Sequence, residues 1–254
     1  MGEIKTKAIV LSAVDYGEQD RMLTLFSPEF GRIDAKARSC RKAASPLLPC
    51  VQPFVFGEYV LFRYKEKTVI SQCEVIETFF SLREDVERFA AAGFASALCR
   101  GVVQEEEGNE ALFDLFYRAC SYLAYGENGI KETLIAFLVH FLSITGFQPA
   151  ITHCARCGKD LRQEKTIRFS PELGGALCPG CGVFQKQVAP VTLEAIRRVL
   201  LLPREELDRV KLPEPLAGNV YAVLKDYALY CLPGAQKPAE MLDDFLTVSP
   251  QNGE

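Results

Sequence analysis

The pattern of hydrophobic and polar positions changes once along the chain, near residue 80. Before that point the apolar runs are short, rich in β-branched and aromatic residues and separated by turn formers, which is typical of strands. The pattern predicts five strands and one long connection, the strands at about 4–14, 21–27, 32–38, 59–64 and 69–79 and the connection at 39–53. This arrangement favours a small closed barrel such as the OB-fold, although the pattern alone also allows an open sandwich.

Beyond residue 81 the apolar residues recur every three or four positions, which is the spacing of amphipathic helices. Residues 132–145 are apolar nearly all round, which predicts the central helix of a bundle, ended by Gly146 and Pro149. Later helices are predicted at about 193–202 and 216–231. The sequence therefore predicts an α+β protein, with an N-terminal five-stranded OB-fold barrel at 1–80 and an α-helical domain at 81–254.

The composition is that of a folded protein, since 48% of the 254 residues are hydrophobic and 24% are charged. No apolar run reaches the roughly 18 residues that span a bilayer, and the first residues lack the apolar stretch of a cleavable signal. We therefore expect a cytoplasmic protein. The net charge of −4 is unevenly divided, with +1 in residues 1–80 and −5 in the remainder. The N-terminal part of the chain is thus mildly basic, and the rest of the chain is acidic.

Four of the ten cysteines form two CxxC pairs, Cys154 with Cys157 and Cys178 with Cys181, each followed by a glycine. Two residues between thiolates allow both sulfurs to reach one tetrahedral metal at about 2.3 Å, so the pattern predicts one zinc ion per chain. Four thiolates leave no position for water, which makes this zinc structural rather than catalytic, in an insertion at about 151–189. Redox-active or merely buried cysteines are the alternative interpretation.

The other cysteines and the two histidines are given no chemical role. In a reducing compartment the remaining cysteines are interpreted as core or surface residues: Cys40, Cys50, Cys73, Cys99, Cys120 and Cys231. His153 adjoins Cys154 and is interpreted as a bystander, with metal ligation as the alternative, and His140 is interpreted as a satisfied core histidine. The sequence contains no H-x-E, G-x-S-x-G, P-loop or G-x-G-x-x-G pattern, so we expect no enzymatic activity. The acidic run Glu105-Glu106-Glu107 is interpreted as a solvated helix end.

A basic segment at residues 31–42 is the candidate binding site of the barrel. Arg32, Lys36 and Arg38 share a parity on the predicted strand, and Arg41 and Lys42 follow in the loop. Clustered cations on a barrel face release counterions when they meet a phosphate backbone, which predicts salt-sensitive nucleic-acid binding. Three further cations extend the surface from the next hairpin: Arg63, Lys65 and Lys67. A solvated edge that prevents strand pairing is the alternative.

Aromatic residues accompany this basic segment: Tyr16, Phe26, Phe30, Phe54, Phe56, Tyr59, Phe62 and Tyr64. Bases of single-stranded nucleic acid stack on such rings with little dependence on sequence. Most of these rings are needed for the barrel core, so one or two are expected to meet a ligand.

The order of these features resembles the RecO family of bacterial recombination mediators and DNA repair proteins. In the barrel half, the resemblance is carried by residues 8–27 (AIVLSAVDYGEQDRMLTLFS), 31–33 (GRI), 35–38 (AKAR) and 52–54 (QPF). In the second half it is carried by residues 141–149 (FLSITGFQP), 154–158 (CARCG) and 169–178 (FSPELGGALC). The matching segments follow the family's order over nearly the whole chain.

The resemblance implies an N-terminal OB-fold and a helical domain with a zinc site. It also implies binding to single- and double-stranded DNA, annealing of complementary strands, and partnership with RecR and with the tail of single-stranded-DNA-binding protein, in support of RecA loading. Some relatives place arginines on the central helix to receive that acidic tail, whereas this chain has Ile135 and Ala136 there, so no residue is assigned to such a site. The rival hypotheses are a zinc-containing protein–protein adaptor that does not bind DNA directly, and a zinc-dependent hydrolase.

Overall fold

A closed five-stranded barrel forms the first part of the chain in the computed structural model, which describes residues 2–65 and 67–248. Its strands are β1 (Gly2–Tyr16), β2 (Asp20–Ser27), β3 (Gly31–Ala37), β4 (Phe56–Tyr64) and β5 (Lys67–Glu77). Their order around the barrel is β1-β2-β3-β5-β4. Strand β1 pairs antiparallel with both β2 and β4, and a parallel pairing of β3 with β5 completes the ring. The predicted OB-like barrel is therefore confirmed, and the open sandwich is wrong.

Strand β3 shows how the alternating sequence builds the barrel wall. Ile33, Ala35 and Ala37 are buried in the barrel core, whereas Arg32, Asp34 and Lys36 lie on the outer face. The long connection between β3 and β4 also enters the core, because the Tyr59 hydroxyl donates a hydrogen bond to the Cys50 carbonyl at 2.9 Å. Small and branched side chains fill most of the core together with Tyr59, and the polar side chains of β3 are left outside it.

Two helices, α1 (Val86–Val102) and α2 (Glu110–Tyr125), pack against the barrel. The buried Ser96 hydroxyl donates to the Leu11 carbonyl at 2.7 Å, which ties α1 to strand β1. Phe113 of α2 makes edge-to-face ring contacts with Phe26 and Phe56. Residues 1–125 accordingly form one compact unit, and residues 126–254 form a second. The change of period near residue 80 marks a change of secondary structure, and as a domain boundary it stays a prediction.

The second unit is mainly helical, with α3 (Ile130–Ile144), α4 (Pro190–Leu200), α5 (Leu216–Cys231) and α6 (Gln236–Val248). Helix α3 packs against α4 and α5, and every residue from Thr133 to Leu142 is buried, which confirms its predicted central position. Among the described residues, no helix is both long enough and apolar enough to cross a membrane.

A small sheet interrupts the helices of the second unit. Its strands are β6 (Ile167–Ser170), β7 (Gly175–Leu177) and β8 (Lys186–Val188), in the antiparallel order β7-β6-β8. The sheet lies within the predicted insertion at 151–189, hereafter the cysteine module. It connects the two CxxC pairs, because one pair precedes β6 and the other lies between β7 and β8.

Candidate nucleic-acid surface and metal centre

The four predicted cysteines come together at one point. The sulfur atoms of Cys154, Cys157, Cys178 and Cys181 all lie within 4.8 Å of one another, and the Sγ atoms of Cys157 and Cys178 are 3.8 Å apart. A tetrahedral zinc site with Zn–S bonds of about 2.3 Å requires sulfur–sulfur distances of about 3.8 Å. The cluster therefore has the donor chemistry and the size of a four-cysteine metal site.

Tight turns of the backbone form both knuckles of this cluster. In the first, the Gly158 amide donates to the Cys154 carbonyl at 2.9 Å, and Gly158 takes a left-handed φ of +77°, which glycine adopts without steric cost. In the second, the Cys181 and Gly182 amides both donate to the Cys178 carbonyl. The spacing of two residues thus folds each cysteine pair back on itself.

Within the cluster, the pKa of Cys154 is lowered and the pKa of Cys181 is raised. Burial opposes ionisation of Cys154, but backbone amides of Cys178, Cys157 and Arg156 outweigh it and lower the pKa of the thiol to about 6. Hydrogen bonds to Cys178 and Cys157 hold the proton of Cys181 and raise its pKa to about 12. Four crowded thiolates repel one another, and a divalent cation is what allows all four to ionise together.

The two histidines lie outside the cysteine cluster. His153 is exposed, and its Nδ1 atom shares a hydrogen bond with the Thr152 hydroxyl at 3.0 Å. His140 is only 5% exposed on α3, as a core histidine should be, but its Nε2 atom has no hydrogen-bond partner. The interpretation of His140 as a satisfied core residue is therefore wrong for this atom. Burial, and to a lesser extent the charge of Arg204, lowers the pKa of His140.

Four of the predicted basic residues gather where β3 ends. The Nζ atom of Lys36 lies 2.8 Å from the Asp20 carboxylate and 4.5 Å from the centre of the Tyr16 ring. Arg41 pairs with Asp15 at 3.2 Å, and its backbone amide donates to the Gln19 carbonyl. Arg38 and Lys42 complete the group, and both are exposed. We call this surface the β3 rim; it consists of Tyr16, Lys36, Arg38, Arg41 and Lys42.

Some cations of the β3 rim are held in ion pairs, and others form none with a described residue. Asp20 holds the turn that follows β3, because its carboxylate accepts the Ser39 amide at 2.7 Å. The hydrogen bond from Lys36, followed by that from the Ser39 amide, lowers the pKa of Asp20, so this carboxyl is ionised at neutral pH. Arg38 and Lys42 form no ion pair with any described residue. The charge of Arg38 contributes to the lowered pKa of Asp20, but unlike Lys36 and Arg41, neither Arg38 nor Lys42 is held in an ion pair with a described residue.

Arg32 and Arg63 face acidic groups instead. The Arg32 guanidinium lies 2.6 Å from the Asp34 carboxylate, and the Arg32 amide donates to the Gln104 carbonyl. Arg63 donates from Nη1 to Oε1 of Glu106 at 2.5 Å. As binding residues these two arginines stay predictions, but their charges already have partners. They lie beside the acidic run rather than with the unpaired cations of the β3 rim.

The acidic run Glu105–Glu107 is therefore not simply a solvated helix end. Helix α1 stops at Val102, and Glu105 forms β-bridges with Gly31 and Arg32. The interpretation drawn from sequence is correct in that the three carboxylates are exposed, but it missed their backbone contact with β3. The physical reason is that this contact joins segments more than 70 residues apart, which no local pattern reveals.

Two glycines make that contact close. A β-carbon on Gly31 would lie 2.2 Å from the Gln104 carbonyl oxygen and 2.3 Å from that of Glu107, and Gly31 has a φ of +65°. A β-carbon on Gly108 would lie 2.5 Å from the Glu29 carbonyl oxygen. Because only glycine fits at either position, the acidic run is held against the turn between β2 and β3.

Lys65 and Lys67 lie at the hairpin between β4 and β5, and both are exposed. The register pairs Val69 with Lys36, and Lys67 points to the same side of β5 as Val69, so Lys67 lies on the outward face next to β3. The Nζ atom of Lys65 is 5.6 Å from the centre of the Tyr64 ring. The hairpin therefore places two cations and one ring on the outer surface near β3.

The aromatic residues of the barrel divide as expected between core and surface. Phe26, Phe54 and Tyr59 are buried, whereas Tyr16 is 55% exposed and Tyr64 is 56% exposed. The sequence did not single out Tyr16 and Tyr64. Their positions at the ends of β1 and β4, next to turns, are the signal that distinguishes them from the rings of the strand interiors.

The fold and the cysteine cluster define a class of protein in which an OB-type barrel precedes a helical unit with a candidate four-cysteine metal site. Residues 1–79 match the family model described as "Recombination protein O N terminal", and residues 83–238 match the model described as "Recombination protein O C terminal". The chain belongs to the RecO family of DNA repair proteins.

Relatives in several bacteria agree over most of the chain. The DNA repair protein RecO of Desulforamulus reducens is 34% identical over 242 residues, which cover 94% of this chain and 93% of the relative. The protein of the same name in Pelotomaculum thermopropionicum is 34% identical over 244 residues, or 95% of this chain and 94% of the relative. The DNA repair protein RecO of Alkaliphilus metalliredigens is 33% identical over 229 residues, which cover 89% of this chain and 92% of the relative.

Proposed function

We propose that this protein is a non-enzymatic DNA repair and recombination mediator that binds single- and double-stranded DNA through its barrel. In this proposal it anneals complementary strands and, together with RecR, assists the loading of RecA. Membership of the RecO family supports the proposal. The observation that carries it is the β3 rim, where the exposed cations Arg38 and Lys42 form no ion pair with a described residue and the exposed ring of Tyr16 lies under Lys36.

The ion pairs of the rim are compatible with phosphate binding. Lys36 and Arg41 are partly exposed, and so are Asp20 and Asp15, which pair with them. Exposed ion pairs of this kind contribute only about 0–1 kcal/mol, so a DNA phosphate can take the place of the carboxylate at little cost. Arg38 and Lys42 require no such exchange. We therefore assign them the largest share of the phosphate contacts.

The exposed rings suit unpaired bases. Tyr16 and Tyr64 present their faces at the barrel surface, and each has a lysine over its ring, Lys36 and Lys65 respectively. Stacking of one base on an aromatic ring contributes about 1–3 kcal/mol and tolerates any base. The combination of cations and rings is what binding of single strands without sequence preference requires.

We assign one structural zinc ion to the four cysteines. They match the size of a tetrahedral zinc site, and thiolates are ligands that zinc favours. With all four positions filled by sulfur, the ion supplies no site for water or substrate, so its contribution is to hold the two knuckles and the sheet β6–β8 together.

The proposed partners are DNA, RecR and single-stranded-DNA-binding protein, with RecA as an indirect partner, and the proposed location is the cytoplasm, in association with the nucleoid. Family membership supports these partners, and no residue of this chain is assigned to the three proteins. The protein–protein adaptor that does not bind DNA directly is the competing account, and the following experiment separates the two.

The test is annealing of complementary oligonucleotides coated with single-stranded-DNA-binding protein. The double variant R38A/K42A removes two unpaired cations of the rim. The matched control K5A/K7A removes two lysines from strand β1, so both variants carry the same net charge. We expect R38A/K42A to anneal much more slowly than the wild type, and K5A/K7A to stay close to it. Equal rates for all three proteins would contradict the proposed site, and no annealing or DNA binding by the wild type would favour the adaptor.

A further inference from the structure

The cysteine module presents an aromatic side chain almost entirely to solvent. Phe184 is 97% exposed, which is the highest value among the large hydrophobic residues that the structure describes. Its neighbour Val183 is 61% exposed. Both lie just after the second knuckle, where Gly182 separates them from Cys181. A fully exposed phenylalanine loses free energy in water, so its position calls for a physical reason.

The turn that carries Phe184 is fixed. The Gln185 amide donates to the Gly182 carbonyl at 3.0 Å, and the Gly182 amide donates to the Cys178 carbonyl at 3.0 Å. Arg168 of strand β6 closes the turn from the other side, because its Nη1 atom donates to the Gln185 carbonyl at 2.8 Å. The backbone on both sides of Phe184 is therefore tied to the second knuckle and to the sheet.

Gly182 allows the turn to pack closely against the sheet. A β-carbon at Gly182 would lie 2.6 Å from the Cβ atom of Arg168 and 3.1 Å from that of Leu177, so only glycine allows so close an approach. The ring of Phe184 thus extends from a closely packed base rather than from a loose loop. Because the backbone beneath the ring is already fixed, binding of a flat ligand has to order only the side chain, which lowers its entropic cost.

The charge of the module favours an anionic partner. Residues 151–189 carry six Lys/Arg and three Asp/Glu, whereas the rest of residues 126–254 carries eight and twelve. The formal charge of −2 of a four-thiolate zinc centre still leaves the module positive. The cysteine module is therefore net positive, unlike the rest of the second unit taken as a whole, and the exposed ring belongs to this module.

Ion pairs inside the module leave some of its cations free. Lys159 pairs with Glu164, and Arg162 pairs with Asp160. Three further cations are exposed and form no ion pair with a described residue: Arg156, Lys165 and Lys186. Of these, Lys186 is two residues from Phe184 and follows it on the edge strand β8.

We propose that Phe184 is a base-stacking residue of a second nucleic-acid contact, in which an unpaired base lies on its ring and neighbouring phosphates meet Lys186 and the other free cations of the module. This inference rests on the proposed function, since it requires that the protein bind DNA. It goes beyond it by assigning the cysteine module a direct contact with single strands. In duplex DNA both faces of each base are already stacked, so the contact is specific for unpaired strands.

A peptide partner fits this surface less well. Protein partners bury an anchor ring in a pocket surrounded by other apolar side chains. Here the only exposed apolar neighbour in the turn is Val183, and the residues that follow are Gln185 and then Lys186 and Gln187 of β8. One ring flanked by cations matches the base and phosphate of a nucleotide.

The test compares F184A with wild type by fluorescence anisotropy on labelled oligo(dT) and on a duplex of equal length. We expect F184A to bind oligo(dT) at least about 5-fold more weakly, which is the low end for stacking on one ring, and to bind the duplex as the wild type does. F184Y retains the ring and should restore binding. V183A removes the neighbouring exposed side chain of the same turn and should have no effect. Zinc content and melting temperature should match the wild type in all three variants.

Photocrosslinking gives a second readout. Oligo(dT) containing 5-iodouracil, irradiated with the full-length protein, should form a crosslink that maps to the peptide containing Phe184. If the wild type binds oligo(dT) but F184A binds equally well and no crosslink maps there, the inference is wrong while the proposed function stands, and a protein partner becomes the better account of the ring. If the wild type binds neither DNA, the inference and the proposed function fail together.

Discussion

Arg63 on strand β4 donates a hydrogen bond to Glu106, which lies 43 residues further along the chain in the acidic run after α1. The same run is joined to Gly31 and Arg32 by β-bridges. A carboxylate that accepts hydrogen bonds from an arginine occupies the same guanidinium donors that would bind a DNA phosphate. In the proposed DNA complex, the acidic run would therefore compete with DNA for this part of the barrel surface.

Replacing Glu106 with glutamine should strengthen DNA binding. E106Q removes the charge but keeps a side chain of the same size, so Arg63 becomes available to a phosphate. We expect affinity to rise by up to about 5-fold, since an exposed ion pair contributes about 0–1 kcal/mol. The slope of log K against log salt for single strands should steepen by about 0.7 if one phosphate contact is gained. Anisotropy across a salt series measures both quantities.

The control for E106Q is E84Q. Glu84 is also an exposed glutamate of the first unit, and it forms no ion pair with a described residue. The variant should leave affinity and slope close to those of the wild type. Equal strengthening in both variants would mean that only net charge matters and would contradict a local competition at Arg63.

Replacing Gly108 with alanine should destabilise the protein, because Gly108 lies very close to the turn between β2 and β3. G108A places a β-carbon against backbone oxygens of Pro28 and Glu29, so the acidic run must shift and the melting temperature should fall. We expect a loss of about 1–3 kcal/mol, as is usual for overpacking. Gly93 in α1 has open space around it, so G93A should raise stability by up to about 1 kcal/mol. A loss of stability in both variants would contradict the predicted difference.

Chelation should unfold the cysteine module. Structural zinc contributes about 10–16 kcal/mol in isolated zinc fingers at neutral pH, so loss of one ligand in C178S should lower the melting temperature sharply. Elemental analysis should find one zinc per chain in the wild type. C231S changes a half-buried cysteine outside the cluster and should have a much smaller effect. An unchanged melting temperature after chelation, in protein shown to have lost its metal, would contradict a structural role.

The stability of the second unit should fall in mild acid because of His140. Burial lowers the pKa of His140 in the folded protein, so the unfolded state binds the proton more readily. Above the unfolded pKa of about 6.5, His140 is neutral in both states and does not reduce the free energy of unfolding. As the pH falls from 6.5 toward the folded pKa, the unfolded state gains a proton that the folded state does not bind, so the free energy of unfolding decreases.

Comparison of H140L with the wild type isolates this effect. Leucine replaces the imidazole with an apolar side chain of similar size and removes the Nε2 atom that has no partner, so stability at pH 8 should be unchanged or higher. Denaturant unfolding at pH 8 and pH 5 should show a smaller loss in H140L than in the wild type. An equal loss would mean that other groups set the pH dependence.

The sequence predicted the local parts of this structure well. Five strands were predicted because β-branched alternation is a short-range signal, and strand β3 has the expected outward parity of Arg32 and Lys36. The cysteine cluster was predicted for the same reason, since each pair of ligands is set by one turn. Helix α5 was predicted with its observed limits, because proline residues lie close to both of its ends.

Features that depend on distant contacts were missed. The bond between Arg63 and Glu106 and the fit of Gly31 against residues 104–107 join segments that no periodicity connects. Helix α6 was not predicted, because Pro233-Gly234 reads as an end; Pro238 is tolerated there because it lies in the first turn of α6. The strands of the cysteine module have only three or four residues, too few for an alternating pattern to be recognised.

The salt dependence of single-strand binding by R38A/K42A tests the central claim most directly. If Arg38 and Lys42 each neutralise one phosphate, the slope of log K against log salt should flatten by about 1.4 relative to the wild type, and affinity at low salt should fall. The control K5A/K7A should keep the wild-type slope. An unchanged slope in R38A/K42A would contradict DNA binding by the β3 rim.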